Sequence, residues 1–374
     1  MNKEFSILLY WKAWFIKRWQ LLFLCMPVRH IADDSAHPRQ CVGRNRKAVA
    51  MLQAQRGCCL VIVGMSLSLE EIAWLWVPFT LFAAVAQTVR NTAQRALTQQ
   101  LGTLSATLVR FFYGLPFAAV FVALLYVLPA QAPALPQWSA AYFGWIGLGA
   151  FFQVAATVAL LLAMKERNFA VAVTLSKTEI LQVALFGAVF LHELPPAWAL
   201  LAMVVATVGV LLLTLPPRGQ IFSLQAWMSK SALYGLLCGA CFAIAVIGFR
   251  GGALALNAAT PWLSGGWGVL VAQTLQSIFL GAWVALKTPQ GIMPIFRAWR
   301  VSLLAGSMGA AASLAWFTAY AMQSAAAVRT LGMVEVVFSY LVSRRLFSEN
   351  FSAVEKVGMA LMVLGLVLIC LQGL

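Results

Sequence analysis

Two glutamates, Glu179 and Glu335, lie inside long apolar stretches of a chain with only eleven acidic residues. A charged side chain at the centre of a bilayer costs at least about 2.5–3.5 kcal/mol on insertion scales, so one kept there points to ion binding, proton exchange or a structural ion pair. Arg110 lies about a third of the way into a second apolar stretch, and Lys177 and Arg329 also fall within such stretches. Glu179 and Gln182, three residues apart, share a helical face. Two roles fit the glutamates: lining a central cavity where a carboxylate exchanges a proton, or pairing structurally, for example Arg110 with Glu179. Tyr113, Trp316, Tyr320 and Tyr340 could stack a flat or cationic solute, and Gln153 could supply a hydrogen bond. Arg90, Arg95 and Arg250 read as nearer helix ends, where they can snorkel to the interface. Glu193 and Glu349 read as structural groups at helix ends. Trp74, Trp76, Trp138, Trp145 and Trp262 read as an interfacial belt. Cys238 and Cys241, a C-x-x-C in an apolar helix without a second pair or nearby histidine, read as packing residues.

The elements that must position these groups are long and apolar. The chain has 374 residues, 62% of them hydrophobic and 10% charged, against about 25% charged in a soluble domain. A helix needs roughly 20 apolar residues to cross the hydrocarbon. The pattern predicts ten spans, at about 74–94, 103–128, 140–163, 169–191, 196–215, 231–252, 262–286, 300–322, 325–346 and 353–372. They read as helices because lipid cannot satisfy the backbone of any open alternative. Short turn-rich connectors such as 129–137 and 192–196 leave no room for a soluble domain. Gly235 with Gly239, and Ala305 with Gly309, are small pairs suited to close helix packing.

Residues 1–64 differ. They hold ten of the 26 Lys and Arg residues, and the charges Lys12, Lys17 and Arg18 interrupt their apolar stretch. This segment reads as a basic, disordered leader or a gene-start artefact, with Met65 as a second candidate start. The net charge of +15 sits where membrane proteins keep Lys and Arg for topology, which excludes a nucleic-acid reading.

The chain also resembles itself. Sliding 163–215 by 156 positions onto 319–371 gives twelve identities in 53 without a gap. They include Glu179 with Glu335, Glu193 with Glu349, and Gly209 with Gly365. A repeat of five spans is odd-numbered, so its second copy enters the membrane from the other side. The expected fold is therefore all-α and integral to the membrane, with ten transmembrane helices in two inverted five-helix repeats, 73–215 and 230–374. That arrangement is a signature of secondary transporters.

Arg110-Phe111 early in the second span, and the corner FLHELPPAWALL with its second copy LFSENFSAVEKV, resemble the EamA branch of the drug/metabolite transporter superfamily over about 73–374. The second corner departs from the pattern, with Ser-Glu-Asn where the first has His-Glu-Leu. The resemblance implies a multi-pass carrier of the bacterial cytoplasmic (inner) membrane that moves amino acids, metabolites or drugs, chiefly outward and without ATP. The expected partners are a small-molecule solute, protons as coupling ion and the lipid bilayer, with a homodimer left open and no cofactor, metal or nucleic acid.

An exchanger or importer is the alternative within this class. A membrane-embedded enzyme fits poorly, since His192 is the only histidine beyond the leader and no carboxylates cluster for acid–base work. A channel needs no inverted repeat. Orientation cues conflict: Lys and Arg in the loops after odd-numbered spans place both termini outside, whereas the leader and the resemblance place them inside.

Overall fold

The computed structural model describes residues 61–62, 65–66, 74–129, 131–164, 175–214, 230–338 and 352–371. The leader expected over 1–64 lies outside these apart from Val61 and Ile62, as do Tyr340 and Glu349. Val61–Ile62 pairs antiparallel with Met65–Ser66; the other regular structure described is helical apart from one isolated bridge.

The helices are α1 (Trp76–Leu101), α2 (Thr103–Phe112), α3 (Leu115–Val127), α4 (Ala140–Met164), α5 (Glu179–Phe190) and α6 (Ala197–Thr214). There follow α7 (Lys230–Ala255), α8 (Pro261–Lys287), the short α9 (Ile292–Arg297), α10 (Trp299–Met322), α11 (Ala325–Gly332) and α12 (Ala353–Cys370). Among the described residues six stretches are long and apolar enough to cross a membrane: Leu104–Val127 and helices within α4, α7, α8, α10 and α12. The chain is a multi-pass membrane protein.

Helix ends follow local chemistry. Thr260 accepts from the Leu263 amide at the start of α8, and Ser324 does the same for Ala327 in α11. Ser352 and Glu355 form a reciprocal capping box on α12, satisfying two otherwise orphaned amides. At the corner after α5, His192 takes φ 55° and the Glu193 amide returns to the Gly187 carbonyl. This left-handed residue closes the helix, and Pro195 and Pro196 prevent its continuation.

Helix α1 is long enough to span but too polar to qualify by composition. It was expected to end near 94, but runs to Leu101 and stops where Gly102 adopts φ 73°. That extension moves Arg90 from a helix end into the interior.

The molecule is inside-out relative to a soluble protein. Val120, Leu124, Phe151, Leu185, Val204, Phe279 and Val367 face outward, while alanine, glycine and polar groups fill much of the interior. Helices pack along their lengths as α4 with α7, α1 with α10, and α6 with α12. Trp76, expected at the interface, is only 3% exposed and belongs to the core.

Glycines set the closest approaches. A Cβ added at Gly209 would fall 2.6 Å from the Gly358 carbonyl oxygen and would also strike the Met362 nitrogen. A Cβ at Gly365 would fall 2.7 Å from the Ala202 oxygen and 2.6 Å from the Ala206 nitrogen. These contacts exchange under the shift of 156: Gly209 becomes Gly365, while Ala202 and Ala206 become Gly358 and Met362.

Candidate functional site

At three of the helix interruptions among the described residues a charge stands close by. The first break is at Tyr113–Gly114, between α2 and α3, where the Gly114 amide reaches back only three residues to Phe111. Pro116 lacks the donor that would bridge it. The second is at Lys177–Thr178, just before α5, with the Thr178 amide on the Leu175 carbonyl. The third is at Met333, after α11, where the Met333 amide bonds the Thr330 carbonyl and the helix resumes at 334–338. Lys177 and Met333 are equivalent under the 156-residue shift, so Glu179 and Glu335 stand at equivalent positions just past a break.

The placement suits the helix dipoles. Arg110 and Arg329 occupy the last turns of α2 and α11, and Glu179 the first turn of α5. Cations at helix C-termini and anions at N-termini are each favoured by about 0.3–1 kcal/mol.

Around Glu335 the partners are amides. The Gln87 side chain donates to its Oε2, and Asn91 Nδ2 donates to its Oε1 at 2.8 Å. The Trp316 indole N–H donates to Gln87 Oε1 at 3.0 Å, fixing the orientation of that amide. Arg90, 6% exposed, donates to Asn91 Oδ1 through Nη2 at 2.6 Å and Nε at 3.2 Å. Arg90 and Arg110 converge on one glycine: a Cβ at Gly309 would lie 3.3 Å from Arg90 Cδ and 3.4 Å from Arg110 Cγ.

Glu179, 8% exposed, is paired with Arg329, whose Nη2 lies 2.8 Å from its Oε1. That oxygen lacks a partner of hydrogen-bond geometry, so the contact is a close charge pair without the alignment of a hydrogen bond. Arg329 also lies over the Trp316 ring, 5.3 Å from its centroid. The suggested Arg110–Glu179 pair is not present; the nearer cation from α11 takes that place.

The other expected site residues divide. Gln182 donates to Thr178 Oγ1 at 3.0 Å, beside the second break. Gln153 accepts from Gln276 Nε2 at 2.6 Å, on the α4–α8 contact. Tyr113 donates to the Ile295 carbonyl at 3.4 Å, tying the first break to α9. Trp316 and Tyr320 stack on one another with 6.1 Å between centroids, so both rings are engaged internally. Arg250 is no snorkelling cation. It pairs with Glu193 at 2.7 Å and donates to the Tyr320 carbonyl, locking α7 to the corner after α5 and to the end of α10.

Sequence reading did not select Gln87, Arg90, Asn91, Gln273 or Gln276. Gln273 is 2% exposed with both amide atoms unpartnered. Gln87, Arg90, Asn91 and Gln94 recur at helical spacing on α1, and that polar stripe was the available signal. Among the described residues, no group of His, Cys, Asp and Glu could hold a metal ion.

No family model and no curated protein matches this chain. A solved crystal structure of a protein is similar, with a TM-score of 0.58 at 17% identity, covering 79% of this chain and 99% of the other. At that identity the likeness is one of fold alone.

Proposed function

We propose that the protein is a secondary active transporter of the EamA type, which exports a small organic metabolite, amino acid or drug across the bacterial cytoplasmic membrane. In this reading α1, α5, α6 and the segment beginning at Ala325 join the six qualifying stretches to make ten spans. Residues 73–215 and 230–374 then form inverted repeats that exchange conformations to give alternating access.

One observation carries the reading. Glu179 and Glu335, equivalent under the repeat, each follow a helix break and stand in partly buried networks with groups from other helices. Broken helices that turn charges toward an interior site are how transporters bind solutes at mid-membrane. Two further features support it. The Gly209 and Gly365 contacts exchange under the repeat shift, as an inverted two-fold requires. The packing of α4 with α7 mirrors that of α1 with α10. Glu335, held by amides and not by a directly paired cation, is the proposed proton-exchanging group.

The test compares cells overproducing the protein, the Glu335→Gln variant and an empty vector. Resistance to toxic amino acids, analogues and drugs is scored, and the medium is profiled for metabolites. A compound class exported only with the intact protein, through saturable flux that follows an imposed proton gradient in proteoliposomes, is the expected result. Unsaturable, purely downhill flux would sink the carrier reading in favour of a pore.

A further inference from the structure

The charges gathered at the breaks do not cancel. Arg90, Arg110 and Arg329 all lie in the electrostatic field of Glu335, and Arg329 in that of Glu179 as well. Glu179 is taken by Arg329. Glu335 is satisfied by the neutral amides of Gln87 and Asn91. Among the described residues no carboxylate lies within ion-pairing distance of Arg90 or Arg110. Among the described residues Arg90 donates to the Asn91 amide oxygen, and the buried Arg110 Nε has no hydrogen-bond partner. Among the described residues the cations therefore outnumber the carboxylates, and the two arginines without a paired carboxylate have stems that meet at Gly309.

A buried charge without a counter-charge is expensive and calls for a partner. Guanidinium groups present paired N–H donors that match an oxyanion in bidentate fashion. Gly309 leaves the two stems room to lie side by side; Arg90 turns Nε and Nη2 to Asn91, and the Arg110 guanidinium lies over the Phe111 ring, 5.0 Å from its centroid.

We propose that Arg90 and Arg110 form an oxyanion subsite, and that the transported solute carries a carboxylate or phosphate which this pair holds. The inference rests on the transporter reading for the solute's fate, but not for the binding itself. The subsite takes a small soluble anion, with Glu335 close enough to disfavour a second negative charge.

The test uses the full chain purified in a neutral detergent, with thermal unfolding followed as ligands are added. Four arms are compared: a panel of amino acids with mono- and dicarboxylates; inorganic phosphate with small phosphate esters; amines matching the carboxylates in shape; and a short-chain anionic lipid. Saturable stabilisation by the first or second arm and not the third is expected, and the responding arm names the oxyanion. Arg110→Gln should weaken that binding at least tenfold, and Arg110→Lys should restore part of it. Should Arg110→Gln not fold, Arg110→Lys decides: weaker binding supports the subsite and unchanged binding overturns it. Stabilisation by amines alone or by the lipid alone, or no response to any soluble anion, overturns the proposal. Anion binding without gradient-coupled flux would leave the subsite standing and sink the transporter reading instead.

Discussion

The Arg329 guanidinium stands 2.8 Å from the Glu179 carboxylate, joining the two helices that carry the equivalent breaks. Removing one partner strands the other in the interior. Arg329→Gln or Glu179→Gln should each destabilise the protein by about 3 kcal/mol, the low end of the range for broken buried pairs because both groups keep some exposure. The double replacement should cost much less than the sum. Thermal unfolding of the two single variants and the double variant in detergent measures this, and simple additivity would show that the pair is not coupled.

Glu335 accepts from two side-chain amides, and Gln87 is itself oriented by Trp316. Glu335→Gln keeps the shape and removes the charge. Under the proposed mechanism it should abolish the response of transport to a proton gradient, while solute exchange at equal concentrations across the membrane persists. Counterflow and gradient-driven uptake in the same proteoliposomes separate these.

Trp316→Phe removes the indole donor to Gln87 and weakens the surface beneath Arg329. The lost hydrogen bond should cost about 1 kcal/mol. Gly332→Ala attacks the same ring from the other side, because its added Cβ would collide with the Trp316 six-membered ring. It should destabilise by about 1–3 kcal/mol. Unfolding midpoints of both variants check the pair, and a neutral Gly332→Ala would mean that the ring has room to retreat.

At the α6–α12 contact the effects should come in matched pairs. Gly209→Leu and Gly365→Leu both push a side chain into facing backbone and should each cost several kcal/mol or prevent folding, overpacking of a tight contact being unfavourable. Val208→Leu, on the exposed side of the same helix, should be nearly silent. Yield of monodisperse protein and its unfolding temperature give the comparison.

Helix-forming stretches were legible because twenty-residue apolar runs allow little else. The glutamate pair was legible because carboxylates are scarce in such runs. The span expected over 103–128 is continuous, although Gly114 and Pro116 mark its break; Gly332 stands beside the break at Met333, and no such residue marks Lys177–Thr178. At the latter two, tertiary contacts decide the local hydrogen bonding. Arg90 was assigned to a helix end because the apolar pattern fades near 94. The chain nonetheless stays helical to Leu101, and neighbours on α10 bury Arg90. The partners of Glu179 and Glu335 come from distant helices, and residue spacing alone does not report such pairs.

The α6–α12 contact maps onto itself under the 156-residue shift: Gly209 meets Gly358 and Met362, and Gly365 meets the equivalent Ala202 and Ala206. If the halves trade shapes during a cycle, the α4–α7 and α1–α10 interfaces exchange places, whereas this one is paired with itself. It can then act as a fulcrum that contributes little to the preference between inward- and outward-facing states, the two sides differing by Ala202 and Ala206 against Gly358 and Met362. The bias between those states must come from the asymmetric partners of the two glutamates, an arginine on one side and amides on the other.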